Sequence, residues 1–235
     1  MQSEAAKLKA ELRNSQLSKF NQEFRSRCKV LRKLGHIISE GDDDEDVPSD
    51  NPLKRPTGGI LATKAKAAKE VDTADELLVS ELIFDGVFNK LDPSQCAALA
   101  MALLPTEKTT ESSRPAKDIQ EPLRQLETTS RKIGEIQKEC GIEIDVDEYV
   151  KSFRTDLCEV VYRWSKGAAF KEICKITDMF EGGIIRSVRR LDELISQLSN
   201  AARAIGDSGL ADKFAEASKT IRRDIIFANS LYVEA

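Results

Sequence analysis

The sequence predicts an all-α protein: a bundle of about seven helices, preceded by a long N-terminal helix and a disordered acidic insert. Three observations carry that prediction. Apolar residues recur at steps of three and four through most of the 235-residue chain, the spacing of one face of a helix. Residues 3–34 hold one uninterrupted helical pattern, while Glu40 to Asp46 packs six acids into seven positions. Finally, no apolar run approaches the roughly 18 to 20 residues of a spanning helix, so a membrane is excluded as a partner and a soluble, intracellular chain is expected.

The first segment, 1–34, reads as a basic arm. Leu8, Leu12, Phe20, Phe24, Cys28 and Leu31 form a narrow apolar seam, with nine Lys and Arg against three acids around it. A seam so narrow needs a partner helix. Gly35 ends the arm, and 35–71 forms a second unit. Its GDDDEDVPSDNPLKRPTGG stretch has too few apolar residues and too much like charge to fold stably. GGILATKAKAAKEV then fits either a strand pair or a helix.

From Asp72 to Ala235 the pattern is helical throughout. DTADELLVSELIFDGVFNKL carries Leu78, Leu82, Val87 and Leu91 on one face. Asp92-Pro93 opens the next helix, proline being tolerated in a first turn, and CAALAMALL is apolar all round and therefore buried. Pro105 stops it, and Thr106 to Lys117 is a polar loop. Ile119 to Cys140 makes a half-exposed helix closed by Gly141, and IEIDVDEYV is a connector. The next helix places Phe153, Leu157, Val160, Val161 and Trp164 inward and ends at Gly167. A short helix, Ala168 to Ile176, leads into TDMFEGGIIRSVRRLDELISQLSN, and Leu210 to Leu231 forms the last helix.

That Thr177–Asn200 segment carries two stripes. Ile184, Val188, Leu191, Ile195 and Leu198 define a buried face. Arg186, Arg190, Glu193, Gln197 and Asn200 repeat the same steps two residues on, about 200° round the helix and so on the opposite side. Asp178 with Glu181 offers a variant capping box. Gly182 and Gly183 leave the first turn without side chains, which points to a close approach of backbone or ligand.

Other chemistry is not supported. Cys28, Cys96, Cys140, Cys158 and Cys174 are widely spaced and read as reduced core thiols. The single histidine, His36, leaves no Cys/His cluster for zinc and no Ser-His or Cys-His pair. No GxxxxGK[ST] loop and no DExH or DExD box occurs. Asp192 and Glu193 are helix neighbours that point different ways, so they make no catalytic pair. With a net charge of −4, contact with nucleic acid must be local. Two binding readings remain: a helix-turn-helix over FKEICKITDMFEGGIIRSVRRL, or a helix lining a single-strand channel. The mixed Arg, Glu, Gln and Asn stripe suits a threaded strand better than a duplex.

DELLVSELIFDGVFNKLDPSQCAALA, DLCEVVYRWSKGAAFKEICKITDMFEGGIIRSVRRLDELISQL and RRDIIFANSLYV resemble the C-terminal helical domain (DSHCT) of the superkiller and exosome-cofactor DExH RNA helicases. SQLSKFNQEFRSRCKVLRKLGHI resembles the returning helix of that family's arch insertion, with a winged-helix remnant before the bundle. The resemblance implies an accessory half without its motor, the ATP and Mg2+ being bound by RecA-like domains this sequence does not contain. It implies a ratchet helix over Gly183–Leu198 whose RNA-facing positions match Arg190 and Glu193, with a third at Glu107 in the loop after the apolar helix. Arg186 joins them from the stripe alone. The implied partners are single-stranded RNA, the RecA-like helicase core, and the RNA exosome or its adaptor proteins. The implied role is 3′-to-5′ RNA processing and decay, in the nucleus or alternatively the cytoplasm. A helical scaffold for a decay complex remains the competing reading, with a helix-turn-helix DNA module as the third.

Overall fold

The computed structural model describes residues 2–38, 60–106 and 114–228, with backbone only along 2–15 and at 17 and 18. The acidic insert, Leu8 and Leu12 of the arm seam, Glu107 and the SLYV ending lie outside what it describes.

The long arm is α1 (Gln2–Lys33). Gly35, at φ +74°, turns the chain back, and the amide of His36 closes on the carbonyl of Leu31 at 2.8 Å. Among the described side chains of the arm, Cys28, Val30 and Leu34 at its end are buried, whereas the stacked rings of Phe20 and Phe24 are exposed. The ambiguous GGILATKAKAAKEV resolves into both alternatives. Residues Ile60–Leu61 (β2) pair antiparallel with Ile37–Ile38 (β1), and α2 (Thr63–Ala68) follows.

Beyond residue 72 the fold is all-α, with α3 (Glu76–Phe84), a 3-10 turn (Val87–Lys90), α4 (Pro93–Ala102), α5 (Lys117–Glu139), α6 (Val146–Ser152), α7 (Cys158–Ser165), α8 (Phe170–Ile173), α9 (Glu181–Ala204), α10 (Ser208–Ile221) and α11 (Asp224–Phe227). Helix α4 is the axis of the bundle, enclosed by α5, α7, α9 and α10. It is therefore buried on every side from Cys96 to Leu104. Asp92 and Gln95 form the reciprocal capping box that starts it.

Nine α-helices stand among the described residues after residue 72, where seven were expected. One addition is α6, in the supposed connector: Asp145 caps it by accepting from the amides of Asp147 and Glu148. Gly134 lets α6 lie close on α5, since a Cβ there would meet Val146 Cγ1 at 3.1 Å. The helix expected from Phe153 accordingly starts only at Cys158.

The other addition comes from a break in the last helix. The indole of Trp164 donates to the carbonyl of Ile221 at 2.9 Å, and Arg223 lies over the ring at 3.7 Å while donating to the Trp164 and Ala168 carbonyls. These bonds draw the chain out of helical register, with Asp224 at φ +50°. Ile226 then fills the core, and Ile225 is exposed.

Candidate nucleic-acid interface

Helix α9 packs its Ile184–Leu198 stripe against α10 and α4, and all five members of that stripe are buried. Its rotation about its own axis is set by polar bonds to α10 and the chain beyond it. Asp192, 7% exposed, accepts from Nε of Arg222 at 2.8 Å on both oxygens and from Ser218 Oγ at 2.6 Å. Arg189 donates to the carbonyl of Ile226 at 2.6 Å, and Ser199 to that of Ala211 at 3.0 Å. The same-type neighbours Arg189 and Arg190 thus have separate duties, as do Asp192 and Glu193.

With α9 locked in this way, Arg186, Arg190, Glu193 and Asn200 face solvent. Among the described residues, Arg190 and Glu193 make no hydrogen bond or ion pair, and one helical turn separates them. Gln197 is different. Its Oε1 accepts from the amides of Asp72 and Thr73 and from Thr73 Oγ1 at 2.9 Å, and its Nε2 donates to Asp72. This member of the stripe ties the segment entering the bundle at residues 72 and 73 to α9 and is not available to a ligand.

The start of α9 departs from the sequence reading. The N-cap is Phe180, without a side-chain cap, so Asp178 and Glu181 form no capping box; Thr177 Oγ1 instead accepts from the amide of Met179. The missing side chains of Gly182 and Gly183 accommodate the chain itself. A Cβ on Gly182 would meet the Phe180 ring at 3.2 Å, and one on Gly183 would meet Met179 Cγ at 3.0 Å.

Beside Arg186 and Arg190 lies a cleft of about 280 Å³ between α9 and the end of α4. Met101, Leu104 and Pro105 form one wall, and Met179, Gly183 and Ser187 the other. Thr106 also lines it, and Glu107 is the next residue in sequence, lying outside the described residues. Sequence reasoning missed this cleft, because its walls are remote in sequence and carry no periodic signal. It missed Phe180 as well, an aromatic left 79% exposed where α9 begins.

The helix-turn-helix outline does not survive. Helix α8 is one turn, Phe170–Ile173, too short to cross a DNA backbone ahead of a recognition helix. Among the described residues no three His, Cys, Asp or Glu side chains gather at metal-binding distance, and no helix is long and apolar enough to cross a membrane.

The structure thus defines an all-α bundle that presents an exposed Arg–Glu face on a long helix. Comparison with known proteins identifies the family: residues 58–228 match the DSHCT (NUC185) domain, and the chain belongs to that family. The chain is 49% identical over 98% of its length to the DExH-box ATP-dependent RNA helicase DExH10 of Arabidopsis thaliana, covering 21% of that protein. It is 39% identical over 96% of its length to the exosome RNA helicase MTR4 of Homo sapiens, covering 20% of it. Against the ATP-dependent RNA helicase mtr4 of Schizosaccharomyces pombe it is 41% identical over 90% of its length, covering 17%. The chain thus spans about a fifth of the length of these relatives.

Proposed function

We propose that this chain is the RNA-contacting, non-catalytic C-terminal part of an ATP-dependent 3′-to-5′ RNA helicase that serves exosome-linked RNA processing and decay in the nucleus. The observation that carries the reading is the pair Arg190 and Glu193, exposed together on a helix whose opposite face is fully buried, with no polar partner among the described residues. Such a pair is presented to something outside the chain. The family's relatives, named as RNA helicases, supply the ligand class.

The mechanism is electrostatic and geometric. Arg190 holds a phosphate or stacks on a base, as a planar guanidinium does well. Glu193 orients that guanidinium and accepts from sugar hydroxyls, which distinguish RNA from DNA. Rigid α9 resists backward slipping of the strand between power strokes. ATP and Mg2+ belong to RecA-like domains. The sequence carries no phosphate-binding loop, so no step of hydrolysis is assigned to it. Arg186, one turn before Arg190, extends the contact, and Glu107 belongs to the same proposal on the family resemblance alone. Partners on this reading are single-stranded RNA, the RecA-like core, and the exosome or its adaptors. One wall of a channel offers few phosphate contacts, so the chain alone binds RNA weakly and with a shallow salt dependence.

The test is RNA-dependent ATPase and unwinding, first with the chain alone and then with the chain joined to RecA-like helicase domains. The reading expects inactivity alone and unwinding when joined. Unwinding that ignores substitutions at both Arg190 and Glu193 would make the bundle a scaffold instead.

A further inference from the structure

Gln197 stands on the polar stripe of α9, one turn after Glu193, yet its side chain bonds only to the protein. Its Oε1 accepts from two consecutive amides, Asp72 at 3.1 Å and Thr73 at 3.2 Å, and from Thr73 Oγ1 at 2.9 Å, while Nε2 donates to Asp72 Oδ1. The bonds of Arg189, Asp192 and Ser199 hold α9 to α10 and the chain after it. Gln197 holds it to a different neighbour. Residues 72 and 73 lie between α2 and α3, and α2 packs directly on α9. Helix α2 is in turn fastened to the base of the arm. Lys64 donates to the Leu34 carbonyl at 3.0 Å and pairs with buried Glu81, and the Ala62 amide donates to the His36 carbonyl at 2.9 Å. A bonded path therefore runs from the end of α1 through α2 to the exposed face of α9.

Two of the three donors to Oε1 are backbone amides, which cannot swing aside as a side chain can, so the bridge fixes a distance as well as adding stability. Without it the face of α9 is free to shift against the base of the arm. A displacement of about 1 Å at a working group can cost up to about a hundredfold in rate. Resting on the reading of α9 as an RNA-facing helix, we infer that Gln197 is a positioning residue for unwinding. It touches no RNA. It holds the Arg190–Glu193 face in place against the unit that carries the arm, so that load on the strand does not displace the side chains that grip it.

The experiment uses this chain joined to RecA-like helicase domains and reads single-turnover unwinding beside RNA-stimulated ATPase, below the onset of thermal unfolding of every variant. Gln197→Glu keeps an acceptor for the three donors but sets a second carboxylate against Asp72, and like charges in contact repel. Unwinding is expected to fall by about fivefold or more, with ATPase unchanged. Asp72→Asn alone still accepts from Gln197 Nε2 and is expected to be neutral. In the double variant the amide introduced at 72 donates to the carboxylate introduced at 197. The bond then runs the other way, and unwinding is expected to return to within about twofold of wild type. Were position 197 a strand contact, a carboxylate there would repel phosphate whatever stands at 72. A double variant that stays impaired therefore overturns the inference. Full unwinding by folded Gln197→Glu overturns it as well and leaves the bridge with a role in stability alone. Neither result touches the RNA-facing reading of α9, which fails only if Arg190→Ala leaves unwinding unchanged in the same assay.

Discussion

Replacing Arg222 with leucine tests how α9 is held. The Asp192 side chain is 10% exposed and takes Nε of Arg222 at 2.8 Å, its Nη2 at 2.7 Å and Ser218 Oγ at 2.6 Å. The Arg222 side chain is 56% exposed, so the arginine itself loses little hydration in the fold, and the penalty of breaking the pair falls on the carboxylate. Leaving a buried charge unpaired costs about 3 to 5 kcal/mol. Water reaching the outer edge where Arg222 lay lowers this to about 2 kcal/mol. For a chain of this size that is a fall in Tm of about 4 to 8 °C. Urea unfolding followed by Trp164, the only tryptophan, reports the change, with an unaltered m-value. Asp192→Asn in the Arg222→Leu background should recover part of the loss, because the charge is then gone. A cost for Arg222→Leu within about 0.5 kcal/mol, the range of an ordinary surface change, would refute the view that this pair locks α9.

Further consequences can be checked with the same protein. Burial, and then the nearby Lys64 ammonium, lowers the His36 pKa from 6.5 to about 4. The unfolded chain therefore binds a proton below about pH 6.5 that the fold refuses until about pH 4, and stability falls across that window by about 3 kcal/mol. His36→Gln should flatten this part of the urea-midpoint profile; an unchanged slope would place the acid sensitivity elsewhere. Gln197→Ala removes the acceptor of three bonds from Asp72 and Thr73 and should cost about 1 to 2 kcal/mol, with faster amide exchange at both residues. Burial pushes the Cys96 thiol up to about 12 and the Cys158 thiol upward as well. Alkylation of the native protein at pH 8 should accordingly reach half-buried Cys174 first, and rapid labelling of Cys96 would contradict its burial.

What the sequence made legible followed from periodicity. The apolar stripe of α9 and the all-round burial of α4 are read from spacing, and spacing also separated Arg190 from Arg189 and Glu193 from Asp192. What escaped it was decided by side chains distant in sequence. The break after Ile221 depends on the indole of Trp164 taking a backbone carbonyl that helix continuation needs. Gln197 looked like a member of the polar stripe until residues 72 and 73 folded onto it. The Asp178 cap failed because Thr177 reaches the Met179 amide and the helix begins later, at Glu181. Helix α6 was hidden by the alternating IEIDVDEYV pattern, which resembles a strand more than a helix.

The central claim is that Arg190 touches RNA during strand movement. It is tested most directly by unwinding in single turnover, with this chain joined to RecA-like helicase domains, comparing wild type with Arg190→Ala. Arg190 has no bond to lose among the described residues, so Tm should stay the same while the unwinding rate falls about tenfold, the worth of one charge-assisted contact. Unwinding at the wild-type rate by the folded variant would contradict the account and leave α9 as structure alone.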